Sequence, residues 1–137
     1  MKIVKLGNNI KTPVKSHLPD VGLDIFIPED FAIESFETKT ISLGLKVAIP
    51  EGYAGMLVPR SSIAEKGLII QTSIIDPDYT GEIHLIITNC STMKYFINEG
   101  SRLCSLVVYQ TLNARIEEVD ELSLTERGEN GLGSTGQ

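Results

Sequence analysis

The sequence predicts an all-β domain, a sandwich, jelly roll or barrel-like fold. Three observations predict it. Apolar residues alternate with polar ones at period two rather than 3.6. Turn-forming clusters recur between the alternating runs, at the spacing of many short strands. Helix signals occur in one short stretch only. The chain of 137 residues is long enough for one domain with a core, and 42% hydrophobic residues argue against disorder.

Taken in order, strand candidates are residues 2–6 and 23–27. Then comes Thr40-Ile41-Ser42-Leu43-Gly44-Leu45-Lys46-Val47, which alternates as a half-buried strand does. Residues 53–58 and 68–71 follow. In Glu82-Ile83-His84-Leu85-Ile86-Ile87-Thr88, one face carries Ile83, Leu85 and Ile87. Residues 103–109 form the last candidate. Between them stand Pro19-Asp20, Pro28-Glu29-Asp30, Pro50-Glu51-Gly52 and Asn98-Glu99-Gly100, all turn formers. The one helix signal is Ser62-Ile63-Ala64-Glu65, a capping box, with Gly67 placed to end the helix one turn later.

Charge and sulfur narrow the function. The formal net charge of −6 argues against a nucleic-acid surface. A small anionic ligand is still compatible, provided that Arg60, Lys66, Arg102 or Arg127 are concentrated locally. The two cysteines, Cys90 and Cys104, form no CxxC pair and no disulfide framework, so buried or half-buried free thiols in a reducing, cytoplasmic compartment are expected. His17 and His84 are isolated and lack metal-ligand spacing, and His84 belongs on the less buried face of its strand. No signal peptide, membrane span or internal repeat is read from the chain.

Four segments carry polar chemistry. Arg60-Ser61-Ser62 stands at the start of the short helix, where free N–H groups favour an anion; a capped connector between strands would look the same. In Ile75-Asp76-Pro77-Asp78-Tyr79, two carboxylates and a tyrosine occupy a turn, with Leu68-Ile69-Ile70 as the other arm of a hairpin. Asp24 lies between apolar strand residues, a costly position unless the carboxylate is paired or faces a polar site. Residues 127–137, Arg127-Gly128-Glu129-Asn130-Gly131-Leu132-Gly133-Ser134-Thr135-Gly136-Gln137, bury almost nothing. They read either as a frayed tail or as an arm whose N–H groups, hydroxyls and arginine close over a phosphorylated ligand.

In sequence order these stretches resemble the five motifs of the trimeric deoxyuridine triphosphatases. They are Gly22-Leu23-Asp24-Ile25, then Pro59-Arg60-Ser61-Ser62-Ile63-Ala64-Glu65-Lys66-Gly67, then Ile75-Asp76-Pro77-Asp78-Tyr79-Thr80-Gly81-Glu82, then Gly100-Ser101-Arg102-Leu103, then the stretch from Arg127 to Gly136. The second, third and fifth are the specific ones.

The resemblance implies a jelly-roll-like all-β subunit over residues 1–125 and a mobile arm over 126–137. It implies a homotrimer whose active sites are shared between subunits, without nucleic acid or membrane. The implied reaction is hydrolysis of dUTP to dUMP and pyrophosphate by water attack at the α-phosphorus, which limits uracil incorporation into DNA. Mg2+ would ride on the triphosphate with no direct protein ligand. Asp76 would activate the water and touch the sugar 3′-hydroxyl, and Tyr79 would pack under the deoxyribose. Arg60, Ser61 and Ser62 would hold phosphates. Gln71, Thr72, Ser73 and Ile75 would line the uracil. Arg127, Leu132, Gly133, Ser134 and Thr135 would close from the arm, while Asp24 and Ser105 would support the network.

The chain departs from the pattern in three places. Ser101 and Ser105 replace the Asp and Gln usual in the fourth motif, which makes Ser105 a weaker ligand. Leu132 replaces the aromatic that stacks on uracil, a loss of roughly 1 kcal/mol. The segment Ile70-Gln71-Thr72-Ser73-Ile74 is short and lacks the usual glycine. Two other functions fit parts of the sequence. The deoxycytidine triphosphate deaminases share Arg-Ser-Ser, but Ile86 stands where their catalytic glutamate belongs. A protein-binding regulator with weak catalysis, as in some viral and phage members, would fit the departures.

Overall fold

The computed structural model describes residues 1–128. Eleven strands and one helical turn follow in order: β1 (Lys2–Lys5), β2 (Leu23–Phe26), β3 (Phe31–Ile33), β4 (Thr38–Ser42), β5 (Leu45–Ala48), β6 (Tyr53–Pro59), α1 (Ser61–Ala64), β7 (Leu68–Ile70), β8 (Ser73–Ile75), β9 (His84–Asn89), β10 (Tyr95–Ile97) and β11 (Arg102–Gln110). All pairings are antiparallel. A four-stranded sheet runs β2-β11-β6-β8 and a three-stranded sheet runs β4-β9-β7, with two ribbons, β1-β5 and β10-β3. The all-β architecture is the one the alternation predicts, and its jelly-roll-like form is the one the family resemblance implies.

The core forms where the apolar faces of the two larger sheets meet. Ile25, Leu57, Cys104 and Leu106 come from the first, and Leu68, Ile70, Leu85 and Ile87 from the second. In β9 the alternation is regular: Leu85 and Ile87 are buried, while His84 and Ile86 are exposed. Ile83 continues the buried face, as the sequence predicts. The one fully buried polar side chain among the described residues is satisfied: the Asn89 amide donates to the carbonyls of Glu34 and Met93 at 2.9 and 2.6 Å.

Several local expectations need correction. The predicted strand over residues 40–47 is two strands, β4 and β5, in different sheets. Gly44 between them has φ +64, which no extended strand accommodates. The strands β3, β8 and β10 are three residues each, too short to show a period in sequence. Ser62 is not an N-cap. The helical ladder starts at Arg60, whose extended backbone makes it the N-cap with no side-chain cap. Glu65 is therefore the C-cap and cannot close a capping box. Gly67 does follow the helical turn with a left-handed backbone, φ +73. Cys90 is exposed rather than buried, whereas Cys104 lies in the core.

Two connections place the chemistry. The run β7 pairs with β9 as the hairpin reading requires, Ile69 opposite Thr88. Yet β8, directly after it, crosses to the other sheet and pairs with β6. Beyond β11, residues 111–128 form no strand and are exposed.

Candidate active site

Asp24 is buried at the centre of β2, a place where an unpaired carboxylate would cost several kcal/mol. It is paired on every side. Ser105 stands directly opposite it on β11 and donates its hydroxyl proton to Asp24 Oδ1 at 2.8 Å. Ser16 donates to Oδ2 at 2.8 Å. Arg102 Nη1 approaches Oδ2 at 2.9 Å and Arg60 Nη1 at 3.5 Å. Burial by itself would raise the Asp24 pKa. The two hydroxyl donors and the two guanidinium charges outweigh it and hold the carboxyl below its ordinary value.

A strand irregularity makes this possible. Arg102 and Ser105 are three apart, so a regular strand would point them to opposite faces. The pairing of β11 with β2 shifts register between Arg102 and Cys104. That bulge turns Arg102 to the side of Ser105, and both reach the same carboxylate. Its backbone is tied to the helix entry, since Arg60 N–H donates to the Leu103 carbonyl at 3.1 Å.

Arg60, Ser62, Lys66, Asn98 and Arg102 line a cavity of about 380 Å³. Three cations converge there in a chain of net charge −6, the local concentration of basic groups that an anionic ligand requires. Ser61 and Ser62 are exposed on α1. Ser105 has spent its single proton on Asp24, so it has none to donate to an anion.

The second group of residues sits elsewhere. Asp76 follows β8 and opens a turn closed by Tyr79 N–H donating to the Asp76 carbonyl at 3.1 Å. The Tyr79 ring folds back over this turn, its hydroxyl donating to the Glu82 carbonyl at 2.7 Å. Only glycine fits beneath it: a Cβ on Gly81 would lie 2.4 Å from the Tyr79 oxygen. Ser73, Ile75 and Tyr79 border a cavity of about 200 Å³ together with Ile74, His84 and Ile86. Gln71 and Thr72 are exposed between β7 and β8, and Gln71 N–H donates to the Ile86 carbonyl at 2.9 Å. Arg127 is exposed beyond the strands. Leu132, Gly133, Ser134 and Thr135 lie outside the described residues.

Within one chain the two groups are kept apart. Ile75 pairs with Gly55, so Asp76 emerges beside the start of β6, whereas Arg60 follows its other end. Six residues of strand separate them, about 20 Å at ~3.3 Å per residue. Ser16 is the residue that sequence reasoning missed. A lone serine in a loop carries no signal; only the cost of burying Asp24 indicated that some partner must exist.

Comparison with known proteins shows the family. The dUTPase family model matches residues 8–136. The deoxyuridine 5′-triphosphate nucleotidohydrolase of Clostridium novyi (strain NT) is 36% identical over 141 residues, covering 99% of each chain. That of Monkeypox virus is 32% identical, covering 99% of this chain and 90% of its own. Among solved structures, a mutant dUTPase of Staphylococcus bacteriophage 80alpha with dUpNHpp superimposes with a TM-score of 0.93 at 30% identity, covering 99% and 98% of the two chains. A mutant dUTPase of phage phi11 of S. aureus, described as coordinating a structural Mg(II) ion, has a TM-score of 0.82 at 29% identity, covering 88% and 96%. By the family model that spans nearly all of it and by these relatives, the chain belongs to the dUTPase family.

Proposed function

We infer that this chain hydrolyses dUTP to dUMP and pyrophosphate. The observation that carries the reading is the convergence of Arg60, Lys66 and Arg102 on one cavity, braced by Asp24, in a chain of this family. Attack of water at the α-phosphorus requires an oriented water, a base and charge neutralisation along the triphosphate. Asp76 is the base: it positions and polarises the water and contacts the 3′-hydroxyl. Tyr79, held by its bond to Glu82, forms the floor under the deoxyribose and leaves no room for a 2′-hydroxyl. Arg60, Ser61 and Ser62 bind phosphate oxygens. Gln71, Thr72, Ser73 and Ile75 face the base, and the arm over 126–137, with Arg127, Leu132, Gly133, Ser134 and Thr135, closes the site.

The active site is shared between copies. About 20 Å of strand separates Asp76 from Arg60 in one chain, too far for both to contact one phosphoryl group. A homotrimer that sets the Asp76 turn of one subunit against the Arg60 cavity of the next supports the chemistry. Mg2+ fits as a passenger of the substrate. Both Asp24 oxygens are held by protein donors. Phosphate oxygens and water suit Mg2+ better than such a site, and when bound it supplies further charge neutralisation.

We assign the protein to the cytoplasm, or to the host-cell interior if the chain is viral, a reducing setting that suits its free thiols. No helix among the described residues is long and apolar enough to cross a membrane. Deamination is not favoured, because Ile86 cannot move protons. A protein partner is a second role. What favours it is the likeness to the 80alpha dUTPase, described among phage dUTPases that control transfer of virulence genes (31% identity, TM-score 0.93).

Pyrophosphate release from dUTP, UTP, dTTP and dCTP tests the reading. Hydrolysis of dUTP is expected to exceed the others by at least about a hundredfold, the discrimination of a site that excludes a hydroxyl or methyl by shape. A flat profile, or ammonia release from dCTP, would overturn it.

A further inference from the structure

We propose that Ser16 is a positioning residue of the phosphate site, fixing the Arg102 guanidinium by bridging it to Asp24. The inference rests on reading the Arg60–Arg102 cavity as the phosphate site. Ser16 Oγ accepts a hydrogen bond from Arg102 Nη1 at 2.7 Å and donates its proton to Asp24 Oδ2 at 2.8 Å. Arg102 Nη1 also donates directly to Asp24 Oδ2 at 2.9 Å. The three groups close a triangle in which each donor and acceptor has its proper sense. Both Nη1 protons are spent in it, one on the hydroxyl and one on the carboxylate. Among the described residues the Nε and Nη2 protons have no acceptor, which leaves them for an anion in the cavity that Arg102 lines.

The loop that carries Ser16 is anchored, so the contact is built into the fold. Val14 and Asp24 form a β-bridge with mutual backbone hydrogen bonds at 3.2 and 2.7 Å. Just beyond Ser16, His17 N–H donates to the Asp20 carboxylate at 2.8 Å and Asp20 N–H returns to the His17 carbonyl at 3.0 Å. The hydroxyl is thereby held two residues from the bridge, over the carboxylate. A long arginine side chain gives up much rotamer freedom on binding an anion, and a clamp that gives it up in advance raises affinity.

Ser16 is exposed, and Asp24 retains Ser105, Arg60 and Arg102 without it. Removing the hydroxyl therefore orphans no buried atom. Its loss acts on the orientation of Arg102 rather than on folding.

The test compares full-length wild type, Ser16→Ala and Ser16→Thr. Binding of inorganic pyrophosphate is measured by calorimetry, dUTP hydrolysis by steady-state kinetics, and folding by thermal melting. Ser16→Ala is expected to weaken pyrophosphate binding about tenfold, the worth of one charge-assisted hydrogen bond. KM for dUTP should rise more than kcat falls, with the melting temperature kept. Ser16→Thr, which retains the hydroxyl, should restore both binding constants. Unchanged pyrophosphate affinity in Ser16→Ala, or an equal loss in Ser16→Thr, would overturn the role of Ser16 alone. Wild type that binds neither pyrophosphate nor dUTP would overturn the phosphate reading, and this assignment with it.

Discussion

Ser105 faces Asp24 across the β2–β11 pairing and gives its hydroxyl proton to Asp24 Oδ1 at 2.8 Å. It is one of two hydroxyls and two arginines that keep a buried carboxylate ionised. The hub links the first, second and fourth motif segments, so disturbing it should be felt in both stability and phosphate binding.

Asp24→Asn should destabilise the fold by about 2 kcal/mol at neutral pH. Removing one partner of a fully buried pair costs more, but here the arginines are a third exposed and partly screened. The pH dependence has a definite sign. A carboxyl whose folded pKa is depressed stabilises the protein above its unfolded value, and that contribution is lost as pH falls through the folded value. Chemical denaturation of both proteins between pH 7 and pH 3 checks this. The gap should be constant at the upper end and close at the acid end.

The Asp76 turn and the Arg60 cavity are tested by mixing. Asp76→Asn alone should bind dUTP but lose pyrophosphate release by at least about a thousandfold, as expected for removal of a base and water-positioning group. Arg60→Ala alone should be similarly weak. Mixed trimers formed by unfolding and refolding the two variants together should regain a fraction of wild-type rate, because some sites draw Asp76 and Arg60 from unmutated copies. No recovery in verified mixed trimers would place the whole site within one chain.

Gly81→Ala should act on sugar selection. The added Cβ would meet the Tyr79 hydroxyl and ring, and it must push the ring off its seat on Glu82. The ratio of dUTP to UTP turnover should fall by about tenfold or more, the scale of losing one well-fitted contact. An unchanged ratio would remove the ring from sugar discrimination.

The two thiols should differ sharply. Burial, together with the neighbouring Asp24 charge, pushes the Cys104 pKa up to about 12. In the native protein at pH 8, Cys104 should not react with a thiol reagent, whereas exposed Cys90 should. Mass mapping of the labelled protein checks the assignment, and both should label after denaturation.

The β architecture was legible in the chain because period-two alternation is a local property. The run from Ile83 to Ile87 shows its buried face without any partner in view. The segments bearing Asp24, Arg60, Asp76 and Tyr79 were legible too, because their residue types and order are distinctive. The capping box at Ser62 misled, since the helical turn begins two residues earlier than its hydroxyl suggests, with Arg60 rather than Ser62 at the N-cap. Short strands such as β8 were invisible, because three residues cannot show a period.

By itself the sequence determined the fold class and which residues carry charge near the site. The tertiary structure decided how they meet. Ser16, Asp24, Arg60, Arg102 and Ser105 are scattered over 90 residues, and the β2–β11 register with its bulge gathers them around one carboxylate. The same strand geometry holds Asp76 away from Arg60, at the far end of β6. Pairing register is a long-range property: it depends on which strands meet and where a bulge resets their faces, and no local pattern in the chain encodes that.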